Sequence, residues 1–323
     1  MVGGKTISER LISVIVPAFN AAVTVEQTLE SIRAQTHANL QILVVDDGSC
    51  DGTADVVRRL AADPRVQLIR QPNAGVAAAR NRGLEAAQGD LVALCDADDL
   101  WSPTKLEQQL QALDAQAGSP ALCYCGFVTI DAHGRRAGGP VVARAHGEVL
   151  ERLCRRNFVG HASSMLFRRE LAERLGGFDE TLRVNGAQGC EDYDFLLRAA
   201  ETGPFAAAPA DLVGYRVGAG GTMSSNFVTM MRSWVIVTAA LVKRRPDLLE
   251  AVKDGRAYYA AQLMIGAASR GRLRTVVALA RESQVGARRL AGYLLVDGVK
   301  RLMIRSKRFL VGRGPRGHFL PGP

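Results

Sequence analysis

Residues 90–99 read Asp-Leu-Val-Ala-Leu-Cys-Asp-Ala-Asp-Asp, an apolar run that ends in three carboxylates within four positions. The apolar part is too short for a helix and has no polar break, which predicts a strand buried on both faces. Two earlier runs have the same form. Residues 11–16 (LISVIV) stop at Pro17-Ala18-Phe19-Asn20, and residues 40–45 (LQILVV) stop at Asp46-Asp47-Gly48-Ser49. A shorter run covers 66–69.

Helical patterns lie between these runs. Residues 23–35 carry Val23, Leu29 and Ile32 among polar neighbours, and 75–87 is Ala-rich. Thr53 is expected to cap a helix running to Leu60, and Pro103 to open another. Alternation of strand and helix about every 25–30 residues predicts a mostly parallel sheet covered by helices on both faces. In such a sheet the polar sequences after the first, second and fourth runs share one edge, where ligands bind. Beyond 120, strand-like pieces (121–130 and 163–167) mix with Gly-rich loops and a helix near 191–200. From about 227 the sequence reads as successive helices with basic faces.

Composition excludes several classes. Hydrophobic residues make up 47% and charged residues 23% of 323 residues, values of a folded chain rather than a disordered one. Aromatics are 6%, which does not suggest a base-stacking platform. No apolar run reaches the ~18 residues of a membrane span. The N-terminal sequence does not read as a signal peptide, so the cytoplasm is the expected compartment. The six cysteines are expected to be reduced and mostly buried. Net charge is +9, unevenly placed: residues 231–323 hold 19 Lys and Arg against 5 Asp and Glu, whereas 1–230 hold 22 against 27. The basic third therefore suggests an appended surface for an anionic partner.

Asp96-Ala97-Asp98 at a strand end brings two carboxylates within reach of one point, a donor set for a hard cation such as Mg²⁺ or Mn²⁺. By itself the pattern also fits an ordinary turn. Asp46-Asp47-Gly48-Ser49 is equally open, between an Asx turn and a carboxylate that accepts from a base or ribose.

In order along the chain, Val14–Asn20, Val44–Ser49, Asn73-Ala74-Gly75 with Ala79-Arg80-Asn81-Arg82-Gly83, Asp96–Asp99, and Gly176–Glu180 followed by Glu191-Asp192-Tyr193-Asp194 strongly resemble family 2 glycosyltransferases of the GT-A fold. The likeness covers about 11–218. It implies a GT-A catalytic domain over 1–226, with the nucleotide-sugar part at 11–117 and the acceptor part at 118–226. A basic helical region follows over 227–323.

The resemblance further implies transfer, with inversion, from a nucleotide-diphosphate sugar (UDP preferred) to a hydroxyl of a cell-envelope glycan or lipid-linked acceptor. The loop Pro17-Ala18-Phe19-Asn20 would hold the nucleotide, with Phe19 against the uracil ring. Asp47 would accept from the base N–H, Asp96 would contact the ribose and Asp98 would bind the metal. Arg80 could face the diphosphate, with Arg82 nearby as a rival. Asp192 would be the catalytic base, with Glu191 in reserve.

His161 could contact acceptor or phosphate, or be a structural histidine. Trp101 could pack beneath the metal site or touch acceptor sugar. Leu94-Cys95-Asp96-Ala97-Asp98 also resembles the D-x-D loop of haloacid-dehalogenase-like phosphatases, but Asp99-Leu100 stands where that family has Gly-Thr. A nucleic-acid module is the non-enzyme alternative, and the acidic balance of the motif region argues against specific binding. On a helical wheel, Leu295, Val299, Leu302, Met303, Phe309 and Leu310 form one stripe flanked by Lys300, Arg301, Arg305, Lys307 and Arg308. This predicts that 291–310 lies on an anionic membrane or packs on the catalytic domain. All donor motifs precede residue 100, so the tail is not expected to build the donor site.

Overall fold

The computed structural model describes residues 6–217, 226–295 and 317–320. The apolar runs become β1 (Ile12–Ala18), β2 (Leu40–Asp46), β3 (Val66–Arg70) and β4 (Leu91–Leu94). Every residue of β1, β2 and β4 is buried, as continuous apolar runs require. They pair in parallel in the order β3-β2-β1-β4, with Ile12 beside both Leu40 and Leu91. The loops after Ala18, Asp46 and Leu94 therefore meet at one edge, as expected.

Between them lie α1 (Val25–Arg33), α2 (Thr53–Leu60) and α3 (Val76–Ala86). In α1 the buried apolar positions are Val25, Leu29 and Ile32, spaced to face one side. Thr53 is not the cap. Gly52 holds that position, and the Thr53 hydroxyl accepts from the Ala21 amide at 2.8 Å. α3 lies so close to β1 that a Cβ on Gly83 would stand 2.4 Å from Ile15 Cγ2. This contact carries the Ala-Arg-Asn-Arg-Gly segment onto the sheet.

The second half is mixed rather than parallel. After β5 (Leu100–Trp101) and α4 (Lys105–Ala115) come β6 (Leu122–Ile130), β7 (Arg136–Val141), α5 (Leu150–Arg155), β8 (Met165–Arg168), α6 (Arg169–Leu175), α7 (Thr181–Val184), α8 (Glu191–Ala200) and β9 (Phe205–Arg216). β8 runs antiparallel to both β4 and β6, β6 runs parallel to β9, and β5 closes the far edge antiparallel to β9. The piece expected as a strand from 163 begins instead with a 3-10 turn, Ala162–Ser164.

The long helices α9 (Phe227–Arg244) and α10 (Leu249–Ala268), then α11 (Leu273–Glu282), follow. Trp234, Val237, Ala260 and Met264 share one buried cluster with Leu153, Cys154, Tyr193 and Phe195. α10 crosses α5 at Gly255, where a Cβ would lie 1.9 Å from the Cys154 carbonyl oxygen. Salt bridges Arg244–Glu201 (2.8 Å) and Arg155–Asp254 cross the same seam. No described helix is long and apolar enough to cross a membrane. All six cysteines are free thiols, and only Cys50 is exposed. Most of the expected amphipathic helix, 296–310, lies outside the described residues. Residues 287–295 are helical and Leu295 is 70% exposed.

Candidate active site

A cavity of about 980 Å³ opens at the sheet edge where β1 and β4 end. Pro17, Phe19 and Asn20 line it from β1, and Asp96, Ala97 and Asp98 from β4. Arg80 reaches it from α3, Glu191 and Asp192 from the start of α8, and Tyr215 and Arg216 from the end of β9. Phe19 is 52% exposed, its ring offered to a ligand rather than to the core. Asn20 takes a left-handed conformation (φ 50°), which Asn tolerates better than most residues. Its side-chain oxygen accepts from the Cys50 amide at 3.0 Å, tying the first loop to the second.

Ala18 and Asp47 do not line the cavity. Asp47, expected to accept from a base, is buried and serves the neighbouring loop. Its Oδ1 accepts from Gln71 Nε2 and the Ala74 amide, and its Oδ2 from the Gly75 amide, all at 2.8 Å. Three donors leave about one of a carboxylate's four acceptor sites for a ligand. The Ala18 carbonyl accepts from the Asp47 amide at 2.8 Å.

Arg80 and Arg82 separate clearly. Arg82 is exposed and pairs with Glu85 on its own helix at 2.8 Å. Arg80 is 3% exposed and bridges two carboxylates, donating from Nη2 to Asp96 and from Nη1 to Glu191, each at 2.9 Å. Burial works against its charge, but Asp96, Glu191 and Asp192 outweigh it and hold the guanidinium protonated. Its Nε is buried with no hydrogen-bond partner among the described residues.

Glu191 is thereby engaged at both oxygens, since Oε2 accepts from the Gly189 amide at 3.1 Å. Asp192 is not. Its Oδ1 accepts only from the Tyr193 amide at 2.7 Å, and no cation pairs with it among the described residues. Burial, then the charges of Glu191 and Asp96, push its pKa up to about 7 against the pull of Arg80. Asp98 is pushed up to about 6, first by burial and then by Asp96. Four carboxylates against two guanidiniums line this cavity, an imbalance that a divalent cation would relieve. Among the described residues no three His, Cys, Asp or Glu converge as a self-sufficient metal site. The donor set therefore fits a cation that takes its remaining ligands from substrate oxygens.

Several contacts of the site carry no sequence signal. Asp99 is fully buried below the cavity, accepting from Ser163 Oγ at 2.6 Å and from the Arg216 amide at 2.9 Å. Burial and the charges of Asp98 and Asp96 hold its pKa well above the carboxylate range. Arg216 donates from Nε to the Asp98 carbonyl at 2.6 Å and from Nη1 to the Ala132 carbonyl at 2.6 Å. Nothing marks a lone arginine at a strand end as functional.

His161 is buried in the cavity wall, stacked on Tyr215 at 4.5 Å and edge-on to Phe127 at 4.6 Å. Neither ring nitrogen has a hydrogen-bond partner among the described residues, though Nδ1 lies 3.9 Å from Asp99 Oδ2. Burial pushes its pKa down to about 4. Trp101 packs behind the acid run, fully buried, with its indole N–H donating to the Ser163 carbonyl at 3.2 Å. Met230, Trp234 and Tyr259 from α9 and α10 also line the cavity. There Tyr193, Trp234 and Tyr259 stack in sequence at 5.4 and 5.6 Å.

Comparison with known proteins agrees with this geometry. Residues 13–176 match the model of glycosyl transferase family 2. TuaG of Bacillus subtilis, named for teichuronic acid biosynthesis, is 43% identical over 119 residues, 36% of this chain and 46% of that one. A glycosyltransferase of Nostoc sp. is 30% identical over 226 residues, 68% of each chain. The succinoglycan biosynthesis protein ExoO of Rhizobium meliloti is 31% identical over 201 residues, 59% of this chain and 56% of that one. The chain thus spans about half the length of two of these three relatives.

Among solved structures, S. aureus TarS 1-349 in complex with UDP-GlcNAc superposes with a TM-score of 0.62 at 18% identity, over 76% of this chain and 71% of that one. The mannosyltransferase PcManGT of Pyrobaculum calidifontis, in complex with GDP-Man and Mn²⁺, gives 0.55 at 23% identity, over 91% and 87%. These two likenesses give the GT-A fold. With the family match spanning half of its residues and the acid run, the Arg80 bridge and the α8 carboxylates in one cavity, this chain belongs to glycosyl transferase family 2.

Proposed function

We propose that the cavity transfers a sugar, with inversion, from a nucleotide-diphosphate sugar to an acceptor hydroxyl. The observation that carries this reading is Arg80. It joins Asp96, in the half that would bind the donor, to Glu191, the neighbour of the base, so both halves of one displacement are held at fixed separation.

In this reading the nucleotide lies against Phe19, with Asp96 toward the ribose and the diphosphate toward Asp98. Asp98 would hold the cation, which when bound contributes Lewis-acid neutralisation of charge on the diphosphate. Asp192 takes the proton from the acceptor hydroxyl. The new bond forms from that oxygen to the anomeric carbon as the carbon–phosphate-oxygen bond breaks, and the electron pair leaves on the diphosphate. One displacement by one base inverts the anomeric centre. A pKa near 7 suits a base at neutral pH. His161 lines the same cavity, with its Nδ1 3.9 Å from Asp99 Oδ2.

UDP is the proposed nucleotide and a cell-envelope glycan or lipid-linked sugar the proposed acceptor class. The relatives named for teichuronic acid and succinoglycan biosynthesis support the acceptor class. TarS, solved with UDP-GlcNAc, and PcManGT, solved with GDP-Man and Mn²⁺, support a nucleotide-sugar donor and a divalent cation. The basic residues of 300–308 would add attachment to an anionic membrane at about 1 kcal/mol each. Replacing them by Gln should release the protein from anionic vesicles.

A panel of nucleotide sugars with Mn²⁺, read by melting temperature and by nucleoside-diphosphate release, tests the whole reading. UDP-sugars should protect and turn over. A panel with no protection and no release from any donor overturns it.

A further inference from the structure

We propose that Gly317–Leu320 is a strut that holds the acid run in place, with Phe319 as its positioning residue. The proposal rests on the reading of that run as the donor and cation end of the cavity.

The segment docks by backbone pairing and by one ring. The Phe319 amide donates to the Gly134 carbonyl at 2.9 Å, the Arg136 amide donates to the Gly317 carbonyl at 3.1 Å, and His318 forms an antiparallel bridge with Arg135. Phe319 is 9% exposed and completes a small core with Leu100, Val128 and Ile130, separate from the two large ones. Its ring fills the space over Gly214, where a Cβ would lie 2.9 Å from Phe319 Cδ1. The Arg136 guanidinium lies 5.6 Å from the ring centre.

Two routes lead from this ring to the cavity. Leu100 directly follows Asp98 and Asp99, and it pairs with Gly214 across β5 and β9. Two residues beyond Gly214, Arg216 gives its amide to Asp99 and its Nε to the Asp98 carbonyl. The second route is the loop 131–135. Arg216 Nη1 donates to the carbonyls of Asp131 and Ala132, at 3.1 and 2.6 Å, and Ala132 itself lines the cavity. The Gly134 carbonyl of that loop is held by Phe319. Removing the ring opens a void between Leu100 and Gly214 and loosens the loop that holds Arg216. Asp98 is then fixed from one side fewer. On this proposal the last residues of the tail help to hold the donor site, which the sequence did not lead one to expect.

The experiment compares the full chain with Phe319→Ala and Phe319→Leu. UDP is titrated in the presence of Mn²⁺, well below each melting temperature, and amide exchange is followed at 98–101 and 131–136. Phe319→Ala should weaken UDP affinity ~10-fold or more, because small misplacements of a binding group are costly. Exchange should rise in both segments, and Phe319→Leu should recover most of both effects. A lowered melting temperature with affinity within twofold and exchange unchanged at 98–101 overturns the strut. If Phe319→Ala does not fold, Phe319→Val takes its place, and a wild-type affinity with unchanged exchange at 98–101 in that variant overturns the proposal. If the unaltered protein binds no UDP, the donor reading fails, and exchange at 98–101 still decides whether Phe319 positions the acid run.

Discussion

Arg80 donates to Glu191 at 2.9 Å across 111 positions of sequence, from a helix packed on the first strand to the first residue of the helix that carries the proposed base. The same guanidinium holds Asp96. One side chain thus sets the distance between the two halves of the cavity.

Replacing Arg80 by Ala should destabilise the fold by about 3–5 kcal/mol, the usual cost of leaving buried charge unpaired. Arg80→Lys should recover only part of this, since an ammonium lacks the fork that spans two carboxylates. Urea unfolding of the three proteins measures it. A loss below about 1 kcal/mol for Arg80→Ala, the scale of an exposed pair, would show that the bridge is not buried in solution.

Asp98→Asn should remove most of the Mn²⁺-dependent part of UDP affinity while leaving the melting temperature without ligand near that of the parent. Asp98 makes no salt bridge among the described residues, and its carboxylate is strained by burial and by Asp96. Calorimetry with UDP, with and without Mn²⁺, reads this difference. Equal metal dependence in both proteins would take the cation away from Asp98.

Asp192→Asn should lower turnover by ~100-fold or more with UDP affinity within threefold. In the parent the rate should rise with pH up to about 7 and then level, because the carboxyl must be ionised to accept a proton. The variant should lose that limb. If Glu191→Gln abolishes turnover and Asp192→Asn keeps it, the roles are reversed.

His161 gives a pH dependence of stability whose sign is fixed. Its pKa falls from 6.5 to about 4 on folding, so the unfolded chain binds the proton more readily between these values. Its contribution is intact above pH 6.5 and is lost as pH falls toward 4, by about 3 kcal/mol in all. Unfolding free energies at pH 7 and pH 4.5 should therefore differ less in His161→Phe than in the parent. An unchanged difference would mean that His161 takes up its proton as readily in the folded chain as in the unfolded one.

The first half of the fold was legible because β1 and β2 are seven-residue runs rich in β-branched residues, β4 is apolar throughout, and all three are buried and end in polar turn residues. Gly83 and Arg80 were legible as a segment but not as a bridge, since nothing in 79–83 points to residue 191. The antiparallel half was less legible. β8 has four residues and β5 two, too short for a period to show. Asp99, Ser163 and Arg216 meet only through tertiary structure, and each is common in loops and strand ends. Asp47 shows what a sequence motif leaves out: a residue type suited to a ligand also accepts three hydrogen bonds from Gln71, Ala74 and Gly75 of the neighbouring loop.

The two tryptophans stand in different surroundings. Trp101 lies behind the acid run with the Lys105 ammonium 3.8 Å from its ring, and Trp234 lies between two tyrosines in the wall built by the long helices. The protein thus carries one tryptophan near each end of its cavity. In Trp101→Phe the remaining tryptophan emission, excited at wavelengths tyrosine does not absorb, comes from Trp234 alone and follows the helical wall. In Trp234→Phe it follows the acid run, so one protein gives separate optical signals for events at the two ends without an added dye.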